Sequence, residues 1–572
     1  MKLRLKPYTI ITAVTIGLIL LPILAPAFRG TDYIQLKTAL LPDENPWNLK
    51  GLNKIAAKYP NDLDLQIAAC NSSFTFGAHQ GNNKNWKQFR SIRLRNIENL
   101  IARFPNQPAA YANAMGDMTQ LGVRVGREQD QNLPSSDNEP SLFPTPPSPH
   151  LNPTLLEKFD RYGAEAEKLD PNNAFFPYMR SIALFGLHRD SEAIREIIRA
   201  GKLPFWNDYN RSEMRGYLKL MDIKAGGKAP LLRVIALAFI IYPDFDEMDS
   251  SVRLAIHDAI TAERSGNRQK GFEIRKALRR YGGLMRADSK SVQGNLEGMA
   301  IAGMASRAPG GNLPPAPPGK ASPKKRFKRD LDFYLSYLKR IKHPEEAKAY
   351  QKEVKAGLKI RQIINSGVEH LYGVSEGDEI EWIAYQYMWI IFLYGESILL
   401  LQNGIFVLCI GLICSLILIL VSKSDDALRK YKIYLGFLIF MAVFIVMEIG
   451  LQDQLSMFEG VYHRLVHDLG IVGQPHAMWL IWNWSALIPA FAVLLAIFIN
   501  YMNNKPFMEG VVRRMKTIAV PLAFTLILIW SFLFLGVIHT DAILNKRTEI
   551  IAMGEGQGYA RMLHLQWPGV IR

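Results

Sequence analysis

The chain has 572 residues, 49% of them hydrophobic and 21% charged, with a net charge of +16 and only 3 Cys. That length accommodates several domains, and so few cysteines exclude a disulfide-built secreted scaffold. The first two-thirds have a soluble composition, whereas the last third is crowded with long apolar runs, which excludes a simple cytosolic enzyme.

Lys2, Arg4 and Lys6 precede an apolar stretch from Tyr8 to Phe28. About 20 apolar residues cross a bilayer core, so residues 1–28 read as an anchor. Ala25-Pro26-Ala27 has the small-x-small form of a cleavage site, so a signal peptide is the alternative; either way the following domain is exported. Residues 29–309 are rich in Ala, Leu, Glu, Arg and Lys, with few alternating β-branched residues, and predict helices. Tyr59-Pro60-Asn61, Phe104-Pro105-Asn106, Asp170-Pro171-Asn172 and the looser Tyr242-Pro243-Asp244 punctuate them. Proline ends the helix behind it and can open the next, and the Asn is expected to cap that next helix.

The stretch AEAEKLDPNNAFFPYMRSIALFGLHRDSEAIREIIRAGKL resembles the tetratricopeptide repeat. Ala166, Leu169 and Pro171 match a closing helix and turn, and Ala183, Ala193 and Ala200 fall where paired helices approach. In SSVRLAIHDAITAERSGNRQKGFEIRKAL, Gly266 takes the turn and Gly271 the close-packing position. Pro177 and Ser181 stand where the family carries Trp and Gly, and the Pro-to-Pro spacings are 45, 66 and 72, against about 34 in the family. The resemblance implies a degenerate, interrupted solenoid with a surface for peptides or partner proteins; a generic helical bundle is the alternative.

A Pro/Ser-rich insertion occupies 122–154. A second Pro/Gly stretch at 307–329 carries Lys320, Lys324, Lys325, Arg326, Lys328 and Arg329. These cations suit a membrane surface or another anionic partner, with a solvated linker as the plain reading; nucleic acid is not expected on an exported domain. Residues 310–381 form this basic linker and membrane-proximal helices. Residues 382–403 come next, and their six aromatics between Trp382 and Tyr394 suit an interfacial helix.

Four transmembrane helices are expected within 404–539, at about 404–422, 433–452, 478–500 and 518–539. Lys423, Arg429, Lys430 and Lys432 lie in the first loop, and Lys505, Arg513, Arg514 and Lys516 in the third, whereas the middle loop has Arg464 alone. Counting the N-terminal helix, this cationic alternation predicts a five-span plasma-membrane protein with the large domain and the tail 540–572 outside. Reading 382–401 as a further span would put the first basic loop outside. The fold class expected is all-α, an exported repeat domain joined to a four-helix membrane bundle.

No GxSxG, phosphate loop, HExxH or CxxC motif is present. His463 and His467, four apart, with Asp468 and His476, and with His539 and Asp541 beyond the last span, form the candidate divalent-metal site; interfacial histidines on an amphipathic helix are the alternative. Glu448 is an ionisable residue inside a span, and Asn483 is its nearest polar candidate. The expected function is a membrane-anchored interaction or scaffold protein without a cofactor, binding membrane lipid and other envelope proteins. A metal-dependent enzyme at the histidines and a small-solute transporter at Glu448 are the alternatives.

Overall fold

The structure, a computed structural model, describes residues 54–72, 83–127, 131, 152–225, 233, 244–312, 323–372, 400, 403–419, 488–502 and 507–569. All regular elements among them are helical, and the one extended pairing is an isolated bridge between Asn173 and Phe205. The chain divides into two compact units. One holds Leu49–Met221, Arg233–Glu376 and Lys546–Arg572; the other holds Met1–Asn48, Asp222–Leu232 and Gly377–Asn545.

The first unit is built from α1 (Leu63–Ser72), α2 (Asn83–Arg103), α3 (Pro108–Gln120), α4 (Pro153–Leu169), α5 (Phe175–Gly186), α6 (Asp190–Ala200), α7 (Asn210–Ala225), α8 (Asp244–Arg264), α9 (Arg268–Asp288) and α10 (Val292–Met304). From α3 to α6, and again from α8 to α10, each helix packs on its successor, which is the arrangement of stacked helical repeats. The aromatic core of Phe159, Phe175, Phe176, Phe185 and Tyr281 runs continuously through this stack.

The Pro-Asn punctuation falls between helices as expected, but capping shifts by one residue. Asp62 accepts from Leu65 N at 3.2 Å at the start of α1, and Asn173 accepts from Phe175 N at 3.1 Å. Helix α3 has Pro108 in its first turn and no side-chain cap, because a proline there already removes one orphan donor. Ala166, Ala183, Ala193 and Ala200 are all fully buried. A Cβ on Gly271 would come within 2.8 Å of Ala259 O, so only glycine lets α9 approach α8 this closely. Gly266, at φ +91°, makes the turn between them.

A buried ion pair between α8 and α9 also holds the next helix of this unit. Arg275 donates to Glu263 through Nε (2.7 Å) and Nη2 (3.1 Å), and to the carbonyls of Ala305, Arg307 and Ala308. Glu263 also accepts from Tyr337 Oη at 2.7 Å and from Gly310 N at 2.6 Å. Tyr337 belongs to α11 (Pro323–Arg340), which with α12 (Pro344–Tyr372) packs on α9 through Phe272, Tyr334, Leu338 and Tyr350.

The tail also belongs to this unit. Helix α16 (Glu555–Met562) packs on α12 and α10. Glu555 accepts from Val292 N at 3.0 Å, and Trp567 Nε1 donates to Ala287 O at 3.0 Å. A Cβ on Gly367 would lie 2.5 Å from the Tyr559 ring, and one on Gly556 would lie 2.3 Å from Trp567. Gly556 in the tail is therefore explained by close approach.

The second unit contains α13 (Asn403–Ile419), α14 (Ile488–Met502) and the start of α15 (Phe507–Met553). Within α15, Glu509–Leu533 is long and apolar enough to cross a membrane; α13 and α14 contribute shorter apolar helices. Val407 and Leu408 of α13 share a core with Ala519, Ala523, Ile527 and Trp530 of α15. A Cβ on Gly411 would lie 2.8 Å from Ala519 Cβ, the small-residue contact that lets apolar helices close on each other. The expected spans at 404–422, 478–500 and 518–539 fall on α13, α14 and α15, but α15 runs on past 539 to Met553. The N-terminal helix at 8–28, the aromatic segment over 382–399, the span at 433–452 with Glu448, His463, His467, Asp468, His476, Asn483 and Lys320 lie outside the described residues.

Candidate functional site

The first unit carries a cleft of about 540 Å³ where the N-terminal ends of α1, α3 and α7 converge with the turn before α10. Its charged lining is Asp64, Arg211, Arg215, Asp288 and Lys290, around the aromatic Phe205, Trp206 and Tyr209. Helix N-termini present partial positive charge, and Arg211 has no ion-pair partner among the described residues. Asp64 is bound to Arg215 (2.9 Å) and Lys219 (3.4 Å). Burial works against its carboxylate, but these cations outweigh burial and hold it below its usual range.

The loop that forms one wall is fastened from beneath. Asn173 Oδ1 accepts from Asn207 N (2.9 Å), and its Nδ2 donates to Asn207 O (2.8 Å) and Asp170 Oδ2 (3.0 Å). With the bond from Phe175 N, this buried amide uses both donors and both lone pairs. Asp170 also accepts from Tyr209 Oη at 2.7 Å, holding a residue whose φ of +59° disfavours any side chain. Trp206 Nε1 donates to Tyr281 Oη at 3.0 Å, and Tyr281 stacks on Tyr178 with centroids 3.8 Å apart. The Asp170-Pro171-Asn172 motif thus does more than end a helix, because it sets Asn173 to hold the cleft wall.

Buried ionisable groups lie behind the cleft. Arg93 donates to Asp117 at 2.8 Å with both side chains nearly sealed from water, and also to the Cys70 carbonyl. Burial pushes the Cys70 thiol up to about 12, so it is no nucleophile at neutral pH. Burial likewise raises Glu213 to about 8 and Asp208 to about 7. The sequence marks none of these groups as a site, except that Cys70 stands alone in its region.

Gly216 sets the position of α1 beside the cleft. A Cβ there would lie 2.0 Å from Asp64 O and 2.7 Å from Ala68 Cβ, a clash with backbone that no rotamer relieves. Gly216→Ala is expected to destabilise this unit by about 1–3 kcal/mol, read as a lowered denaturation midpoint. An unchanged midpoint would show that α1 does not pack here.

The residues that the sequence suggested for sites lie elsewhere. Lys324, Lys325 and Arg326 lie in the first turns of α11, Lys328 is exposed, and Arg329 pairs with Asp330 at 2.7 Å; neither Lys328 nor Arg329 lines this cleft. His539 is exposed on α15, and Asp541 stands two residues later on the same helix. Among the described residues no group of three or more His, Cys, Asp or Glu side chains is positioned to hold a metal. No protein family, curated protein or solved structure matches this chain.

Proposed function

We propose that the chain is a membrane-anchored interaction protein that presents a helical-repeat surface outside the cytoplasm to a segment of another envelope protein. The observation that carries this reading is the cleft itself: charges of both signs around aromatic side chains, on a wall fixed by the Asn173 and Trp206 hydrogen bonds. Such a surface recognises a polypeptide without needing to move.

Membrane attachment is supported by the apolar stretch of α15 and by the side chains on the outside of the second unit. Leu412, Leu416, Phe491, Leu494, Phe498 and Phe532 are each at least half exposed, a surface that water disfavours and lipid accepts. Ser531 and Thr525 donate to the carbonyls of Ile527 and Pro521, leaving neither hydroxyl proton unmatched in hydrocarbon.

The test is site-specific photocrosslinking in native membranes from Ser212 in the cleft and from Lys328 on α11. The expected result is one discrete protein adduct from Ser212, absent from Lys328 and reduced at least about tenfold by Arg211→Glu with Lys290→Glu. Identical adducts from both positions, or none from Ser212, would rule the reading out.

A further inference from the structure

A second cleft, of about 330 Å³, lies between α10, α11 and α12. Its walls are apolar: Leu296 and Met299 from α10, Phe327 from α11, and Val354 and Leu358 from α12. On α12 the lining residues Tyr350, Glu353, Val354, Gly357, Leu358 and Arg361 succeed one another at helical spacing, so they form a single stripe. Phe327, Leu358 and Leu296 are 48%, 55% and 36% exposed, a contiguous apolar surface left open.

Arg286 also lines this cleft, and it is only 2% exposed. Its Nη1 donates to Glu353 O at 3.0 Å, but Nε and Nη2 are buried and have no acceptor. The guanidinium reaches the cleft beside Gly357, since a Cβ there would lie 3.8 Å from Arg286 Nη1 and 3.3 Å from Met299 Sδ. The nearby carboxylate is already committed, because Glu353 receives Nε and Nη2 of Arg279 at 3.2 and 3.0 Å. A buried cation without its own counter-ion is costly, and this one belongs to the wall of the cleft.

The same helix shows what that edge takes. Arg275 and Arg279 each present Nε and Nη2 to one carboxylate, Glu263 and Glu353 respectively. Arg286 is the third buried arginine of α9, and its corresponding edge is empty. Two parallel N–H groups match a planar carboxylate bidentately. The walls say what the carboxylate is attached to: the lining segments are helical, their amides are spent on their own carbonyls, and they offer nothing to a peptide backbone. An alkyl chain needs no such partner.

We propose that this cleft binds a long-chain carboxylate, a fatty-acid anion, with its head on the empty edge of Arg286 and its chain along Leu296, Met299, Val354 and Leu358. Met299 is the flexible side chain that yields to admit the head. Arg361, which also lines the cleft, attracts the anion to it.

The test uses the full chain in phosphatidylcholine nanodiscs and a diazirine-bearing palmitic acid, with crosslinks mapped by mass spectrometry. Crosslinks are expected on segments 292–304 and 350–361, competed by palmitate and not by methyl palmitate. Arg286→Met and Leu358→Glu are each expected to reduce them about tenfold or more. Leu358 is over half exposed, so its variant folds even if Arg286→Met does not, and its labelling then decides. The proposal is overturned by equal competition from the ester, by crosslinks only elsewhere, or by unchanged labelling of the folded variants. Stronger labelling by a photoreactive apolar peptide with a free C-terminus would overturn it in favour of a peptide site.

Discussion

Glu263→Ala is expected to cost the helical unit about 3–5 kcal/mol, the usual loss when one partner of a buried ion pair is removed. Arg275 is fully buried, and the Glu263 side chain is 1% exposed. Alanine would leave the guanidinium without a counter-ion and would orphan Tyr337 Oη and Gly310 N at the same time. The loss spans three parts of the fold, since Glu263 ends α8, Arg275 sits in α9, and Tyr337 belongs to α11. Tyr337→Phe removes one charge-assisted bond and is expected to cost about 1.5–3 kcal/mol. The apolar pair Glu263→Leu with Arg275→Met should recover much of the loss, because both desolvated charges then disappear together. Guanidinium denaturation of the purified chain measures all of these. A Glu263→Ala loss below about 1 kcal/mol would mean that water reaches Arg275 and that the pair is not sealed.

The elements legible in the sequence are those set by local chemistry. Proline after a helical run marks the breaks before α1, α3 and α5, and alanine at Ala183, Ala193 and Ala200 marks faces that pack against a neighbour. Gly266 and Gly271 are readable because a turn and a close approach each demand glycine. The ionic pairs are not readable, because Glu263 and Arg275 stand in charged stretches that look like solvated helix faces. What reveals them is a partner distant in sequence, such as Glu353 for Arg279 or Asp117 for Arg93. One local signal is present. Arg275, Arg279, Gly282 and Arg286 share one stripe of α9, and a glycine in the middle of a charged stripe indicates that something lies on it. Gly282 does meet Gly298 O and Ala302 of α10. The tail resists reading for the same reason: Gly556, Gly558 and Trp567 acquire meaning only from α10, α12 and α15.

Stability of the helical unit is expected to fall as pH rises from about 5 to 8, the reverse of ordinary acid denaturation. Burial is the main cause, raising Asp208 to about 7 from an ordinary 3.8 and Glu213 to about 8 from 4.5. Between those values the unfolded chain has released the proton and the folded chain retains it. The native state therefore binds more protons, and raising the pH favours unfolding. The contribution is complete below about pH 4 and is lost as pH climbs through about 7 for Asp208 and about 8 for Glu213. Its upper limit is about 1.4 kcal/mol per pH unit for each carboxyl. Both groups are enclosed in the wall beside the cleft: Asp208 accepts from Asn210 N at 3.1 Å at the head of α7, and Glu213 lies one turn further along that helix. Glu213→Gln keeps the shape, removes the titration, and is expected to raise stability at about pH 8 while leaving it nearly unchanged at about pH 5. Chemical denaturation of both chains at about pH 5, 6.5 and 8 separates the outcomes. Parallel profiles would mean that Glu213 ionises freely in the folded state, so that water reaches the interior behind Asp64 and Arg215. Convergence toward the acid end would show that the cleft is backed by a wall dry enough to keep a carboxyl neutral.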